Sequence, residues 1–156
     1  MGDIRFERGT RADYFELARY HYVNRAPATW AGVWTARWRG ANGRDHLLGV
    51  AVLSWPTLRC LARERALGLG HMTDRRRARW VNANLRTISR VIVHPAARGL
   101  GVATGLVRAI LEERGRDHII EALAHSARGL LCHFDAAGMR RWEVTDGPIY
   151  FVTNKI

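Results

Sequence analysis

Residues 87–114 constrain this chain more than any other stretch. The β-branched run at 87–93, with Ile88, Val91, Ile92 and Val93, reads as a strand buried on both faces. His94-Pro95 ends it, because proline has no amide to continue a ladder. A turn containing Gly99 and Gly101 then opens directly into a helix over 100–114, whose apolar side carries Val102, Leu106, Val107, Ile110 and Leu111. The first amides of such a helix have no internal partner and point outward with the positive end of its dipole. The two glycines allow close approach of another group to the backbone, and Arg98 adds a fixed charge. Arg98-Gly99-Leu100-Gly101-Val102-Ala103 thus has the chemistry of a diphosphate cradle. The plainer alternative is a strand–turn–helix whose glycines serve backbone geometry alone.

Around this unit the pattern predicts one mixed α/β domain. Residues 4–7 alternate as a short strand, and Thr10 caps a helix to about Tyr20 that buries Tyr14, Phe15, Leu17 and Ala18 on one face. Pro27 prevents any continuation. Residues 29–38 read as a strand with Trp30, Trp34 and Trp38 on one side, although the same spacing suits a helix. After the turn Gly40-Ala41-Asn42-Gly43, the apolar run 46–55 completes an antiparallel hairpin closed by Pro56. Beyond the central helix come a strand at 118–123 and a short helix at 129–137 ended by Gly138. Closing strands at 139–144 and 148–153 flank the turn Asp146-Gly147. The expected fold class is α/β (α+β mixed): a mixed central sheet, flanking helices and a basic insert at 57–86 before the strand at 87.

A chain of 156 residues can bury a core without disulfide or metal staples, and with 47% hydrophobic residues it is no disordered polymer. No apolar run approaches the roughly 18 residues that span a bilayer. The start Met1-Gly2-Asp3-Ile4-Arg5 is no signal peptide, and Phe6 stands where myristoylation requires Ser or Thr. A soluble, cytoplasmic protein is expected. Cys60 and Cys132 are too few for a disulfide framework and lack zinc spacing, so they read as free thiols, and no metal is expected.

Charge is the outlier. Lys plus Arg number 25 against 14 Asp plus Glu, a net +11, and every basic residue but Lys155 is arginine. Such a field favours a polyanionic partner, nucleic acid above all. Residues 57–86 hold eight arginines against Glu64 and Asp74 alone, interrupted by Gly68 and Gly70. Arg75, Arg76, Arg77 and Arg79 with Trp80 read as phosphate contacts beside a stacking surface, or else as a solvated face.

The glycine turn resembles the GNAT family of acyl-CoA-dependent N-acyltransferases. Their signature R/Q-x-x-G-x-G/A fits Arg98, Gly101 and Ala103, with Val93-His94-Pro95 as the strand end and Phe134…Gly138-Met139 as the later helix and G-[FM] end. The resemblance covers nearly the whole element order. It implies acetyl-CoA or another acyl-CoA, with its diphosphate on residues 98–103. Its pantetheine would lie along 89–93, including Val91 and Val93, in a splay beside the strand at 118–123. It implies direct attack of an amine on the thioester, with a base, polarising strand amides and an acid. The family's acid is commonly a Tyr at the position held here by Phe134, leaving His133, Cys132 and Tyr150 as candidates.

His21-Tyr22, followed by Arg25 and Pro27, together with Ser89-Arg90-Val91-Ile92-Val93, resembles a GNAT subgroup: the Mom-type phage DNA-modification proteins and the GNAT domains fused to ABC-type ATPases. That likeness implies functional roles for His21, Tyr22, Arg98 and an Asp, either Asp135 or Asp146, with carbamoylmethylated adenine in DNA as product. His21 suits a base near neutral pH and Tyr22 a hydrogen bond or stacking, while Arg90 steadies its strand or touches the acceptor. Packing of Tyr22 and helix capping by His21 is the bland alternative. A duplex substrate would require its target base to leave the stack. The rival functions are an N-acetyltransferase of a small-molecule or protein amine, and a non-catalytic GNAT-derived module that binds nucleic acid or coenzyme, which Phe134 favours.

Overall fold

A computed structural model describes residues 2–124, 131–142 (131 and 132 by backbone only) and 149–153. Seven strands form one sheet in the order β1-β2-β3-β4-β5-β7-β6. They are β1 (Ile4–Arg8), β2 (Gly32–Arg39), β3 (Asp45–Ser54), β4 (Leu85–Val93), β5 (Ile119–Ala124), β6 (Arg140–Trp142) and β7 (Ile149–Val152). Every neighbouring pair is antiparallel except β4–β5. That parallel pair is joined through α4 (Val102–Arg114), the helix predicted after the glycine turn. The predicted hairpin is β2–β3. Its turn closes where Gly40 N donates to Arg44 O at 2.8 Å and Gly43 takes the left-handed φ of 76°.

Both faces of the sheet are covered. The stripe Val102, Ala103, Leu106, Val107 and Ile110 of α4 packs on Trp34, Leu53, Ile88, Ile120 and Phe151. On the other face Tyr14 and Leu17 of α1 (Arg11–Leu17) meet Val33, Val50, Val52 and Ile92. Alternation along β3 explains the split: Ala51 and Leu53 point one way, Val50 and Val52 the other. Thr10 starts α1 as expected, its amide donating to the Asp13 carboxylate at 2.7 Å. Two details depart from the sequence reading. Phe15 is not buried with Tyr14 but 59% exposed at the helix edge. Trp30 lies outside β2 and packs with Tyr14, whereas Trp34 enters the opposite core.

The basic insert is folded onto the sheet as two helices, α2 (Leu61–Ala66) and α3 (Asp74–Asn84), the latter capped by Thr73, whose side chain accepts from Arg76 N. Arg63 of α2 is fully buried and grips Glu121 of β5 with two hydrogen bonds, Nε at 2.8 Å and Nη2 at 2.6 Å. Arg77 is also buried, paired with Asp74 and Glu64, so it cannot serve as a free phosphate contact. Arg75, Arg76 and Arg79 remain exposed on α3, and Trp80 is half-buried. The later helix is α5 (Leu131–Ala136); residues 143–148, with the turn at Asp146, lie outside the described residues. Among the described residues no helix is long and apolar enough to cross a membrane.

Candidate active site

The parallel pair β4–β5 runs in register from Leu85–Ile119 to Ile88–Ala122 and stops there. Beyond it β5 stays with β7, Leu123 opposite Tyr150, while β4 stays with β3. The two strands diverge because β4 carries a bulge. Ile88 pairs with Leu53 and Arg90 with Val52, leaving Ser89 without a partner across the ladder. The same bulge puts Ile88 and Val91, three residues apart, into one core. Ser54 anchors it, its hydroxyl donating to Thr29 O at 2.7 Å and lying 2.6 Å from Ser89 Oγ. The opening is a cavity of about 430 Å³ that passes between the strands.

One end of the cavity is the glycine turn. His94 starts a single 3-10 turn, Pro95–Ala97, its side chain accepting from Ala96 N at 3.1 Å. Gly99 and Gly101 follow with φ of 83° and 76°, which a side chain would strain, and Gly101 caps α4 with no side-chain cap bond. The helical ladder begins with Gly105 N donating to Gly101 O at 2.9 Å, so the amides of residues 102–104 precede its first bond. A Cβ at Gly99 or Gly101 would meet nothing within 4 Å: the backbone here faces open space. Arg98, exposed, lines the cavity with Ala103, His133 and Phe134. A diphosphate fits these groups, amides and dipole in front and a guanidinium beside.

The same cavity is lined by Tyr20, His21, Tyr22 and Arg90. His21 is half-buried; its Nδ1 accepts from Val23 N at 3.1 Å, with Val23 O at 3.4 Å. Burial lowers its pKa below 6.5, the Val23 backbone bond opposes this, and the Arg90 charge adds to the lowering, so the ring is neutral at pH 7. Tyr22, 81% exposed, stacks on the imidazole with centroids 4.6 Å apart. Arg90 donates to Arg25 O at 3.0 Å, tying the loop after Tyr22 to the bulged strand. Among the described residues the lining contains two arginines and two histidines, and no Asp or Glu.

The structure brings together His21, Tyr22, Arg90, Val91, Val93, Arg98 and Ala103. Arg90 thus belongs to the cleft rather than to the arginine face of α3. Val102 is buried in the core, and Leu100 turns to a second cavity of about 830 Å³. Asp135 is exposed and paired with Arg141 outside the lining, which removes it from the cleft; Asp146 and the Cys132 side chain lie outside the described residues. Tyr150 is corrected as an acid candidate: its hydroxyl, fully buried, donates to Glu121 at 2.7 Å, and burial with the Glu121 charge pushes its pKa far upward. Phe134 is buried against Phe151. The sequence reading missed Tyr20, whose hydroxyl lies 3.4 Å from His94 Nε2, and the bulge at Ser89. A trace of the bulge was visible in the odd spacing of Ile88 and Val91.

No protein-family model and no curated protein matches the sequence. Solved structures do. An acetyltransferase from Bacillus subtilis in complex with CoA aligns over 99% of this chain and 100% of its own, at 15% identity and a TM-score of 0.58. An aminoglycoside acetyltransferase in complex with coenzyme A and kanamycin aligns over 98% and 95%, at 19% identity and 0.56. The ribosomal-protein-S18-alanine N-acetyltransferase from Escherichia coli aligns over 96% and 91%, at 10% identity and 0.54. The chain has the GNAT fold. In the terms of that fold, the cavity is the splay between its parallel strands, and Arg98 to Ala103 is the turn that follows the bulged strand.

Proposed function

We propose that the protein is an acyl-CoA-dependent N-acyltransferase whose acceptor is the amine of a nucleic-acid base, adenine in DNA being the leading candidate. One observation carries this reading: a single cleft is lined by Arg98 and Ala103 of the glycine turn together with His21, Tyr22 and Arg90, and among the described residues by no carboxylate. Bound acyl-CoA would supply a thioester carbonyl open to attack by an amine. Residues 102–104 and Arg98 would hold the diphosphate through amides and guanidinium. The free edge of β4 from Ser89 to Val93 offers backbone groups to the pantetheine and the carbonyl. His21, neutral at pH 7, can take the amine proton at Nε2 once its own proton sits on Nδ1 and turns to Val23 O, a tautomer that gives up the bond Nδ1 accepts from Val23 N. Tyr22 presents an exposed ring on which a base stacks. Phe134 has no proton to give, so protonation of the leaving sulfur falls to solvent or to His133, whose Nδ1 is 2.9 Å from Thr104 Oγ1. Arg75, Arg76 and Arg79 supply phosphate contacts on α3.

The acetyltransferases of similar fold favour a second reading, an N-acetyltransferase of a small-molecule or protein amine. The aminoglycoside enzyme was solved with kanamycin, and the Escherichia coli enzyme is described as acting on an alanine of a ribosomal protein. A lining without a carboxylate among the described residues speaks against a cationic acceptor. Mass spectrometry of nucleosides from DNA co-expressed with the protein separates the two. A modified adenosine supports the first; unmodified nucleosides with acetylated polyamines or peptides support the second.

A further inference from the structure

The opposite end of β4 holds a group of cations that the cleft does not use. Arg86, the second residue of β4, is buried, and its Cζ lies 3.7 Å from the ring centroid of Trp55. Arg114 ends α4, and the turn that follows folds back so that His118 N donates to Arg114 O at 3.0 Å. The β4–β5 register sets Arg86 opposite Ile120, two residues past His118. The three positions are therefore neighbours: burial first, then the Arg114 charge, depresses Arg86, while burial, Arg86 and Arg114 depress His118. Arg86 Nε, Arg114 Nε and His118 Nδ1 are all buried with no hydrogen-bond partner among the described residues. Arg86 Nη1 satisfies the carbonyls of Asn82 and Leu85. Asp117, exposed, opposes the lowering at His118. The C-termini of α3 and α4 contribute roughly half a negative charge each, less than two guanidiniums require. Unpaired buried cations are costly, and proteins that keep them place an anion beside them.

We propose that Arg86, Arg114 and His118 form a binding site for a phosphate oxyanion, walled on one side by the indole of Trp55. The guanidiniums supply charge-assisted donors and His118 a donor that gains a proton as the anion arrives. The site stands apart from the cleft and holds whatever the cleft transfers.

Thermal unfolding with inorganic phosphate exchanged for chloride at constant ionic strength tests this. The wild-type transition should rise saturably, with half-saturation near or below about 1 mM. Arg114→Gln should weaken the response about tenfold and, without phosphate, be no less stable than wild type, because it relieves like-charge crowding. Arg116→Gln, an exposed neighbour, should respond as wild type. By NMR, phosphate should raise the titration midpoint of the wild-type His118 ring. No saturable rise in the wild type, an equal response in Arg114→Gln, or an unmoved His118 midpoint overturns the site. Phosphate that displaces a single-stranded deoxyoligonucleotide from wild type but not from Arg114→Gln identifies the occupant as a backbone phosphate. Phosphate binding without such displacement identifies free phosphate.

Discussion

Replacing Glu121 with leucine should be among the most damaging single changes in this chain, and the hydrogen bonds around it say by how much. Both carboxylate oxygens are doubly satisfied: Oε2 accepts from Arg63 Nε at 2.8 Å and Tyr150 OH at 2.7 Å, Oε1 from Arg63 Nη2 at 2.6 Å and Thr87 Oγ1 at 2.7 Å. Burial alone would depress Arg63, but the Glu121 hydrogen bonds and charge overrule it and keep the guanidinium cationic. Glu121→Leu strands that cation with Thr57 O as its remaining partner and leaves two hydroxyls unpaired. Breaking one side of a buried pair costs about 3–5 kcal/mol. For a domain of this size that lowers the unfolding temperature by roughly 6–20 °C. Removing both charges in Arg63→Met/Glu121→Leu should recover most of the loss, since a buried pair is often no better than well-packed apolar groups. Circular dichroism melts of the two single variants and the double variant measure this. A loss under about 1 kcal/mol for Glu121→Leu, or a double variant as unstable as the single, would refute the reasoning.

Three further outcomes are expected. Arg98→Ala should weaken acetyl-CoA binding about tenfold by calorimetry while leaving the melting temperature unchanged, because its side chain is exposed. His21 has a lowered pKa, so activity should fall on acidification with a midpoint below 6.5, and Arg90→Gln, by removing one cause of the lowering, should shift that midpoint upward in a pH–rate profile. The linkage has the same sign for His21 and His118: the unfolded chain binds protons that the folded one refuses, so stability present above pH 6.5 is lost as pH falls below it in urea titrations. The triple change of Arg75, Arg76 and Arg79 to Gln should reduce the salt slope of DNA binding by about 2–3 with little loss of stability, whereas Arg77→Gln should lower the melting temperature instead.

The strand, turn and helix from residue 85 to 114 were legible because each rests on a local rule: β-branched residues, a proline stop, glycines at positive φ and a 3.6-residue apolar stripe. The hairpin and the cap at Thr10 were legible for the same kind of reason. What failed was long-range. The i,i+3 pair of Arg77 with Asp74 is local, but its burial beside Glu64 of α2, which exposed Arg76 next to it does not share, is decided by helix phase against the rest of the fold. Arg63 finds Glu121 across 58 positions of sequence, a pairing no periodicity announces. Asp135 entered only through the likeness to the Mom-type proteins, as the alternative to Asp146, and its carboxylate meets Arg141 outside the cleft lining. His21 and Tyr22 reach the cleft only because the loop after them is held to Arg90.

The electrostatics of the cleft bear on the acceptor more sharply than the net charge does. The acids are committed to particular arginines: Arg63, Arg77 and Arg37 are paired with carboxylates, and Arg5 and Arg39 share Asp45, so the net excess falls on other positions. Arg90 and Arg98 line the cavity with no acid beside them among the described residues. A protonated amine held about 5 Å from one such guanidinium, at an effective dielectric of 20, is disfavoured by about 3 kcal/mol, on the order of a hundredfold in affinity. An alkylamine acceptor would meet that repulsion or shed its proton first. The exocyclic amine of a base is neutral at pH 7 and arrives with phosphates that the same arginines attract. Its weakness as a nucleophile then becomes the chemical problem, and a base such as His21, held unprotonated by burial and by Arg90, answers it. The positive field that would repel one class of acceptor therefore also keeps the histidine ready for the other.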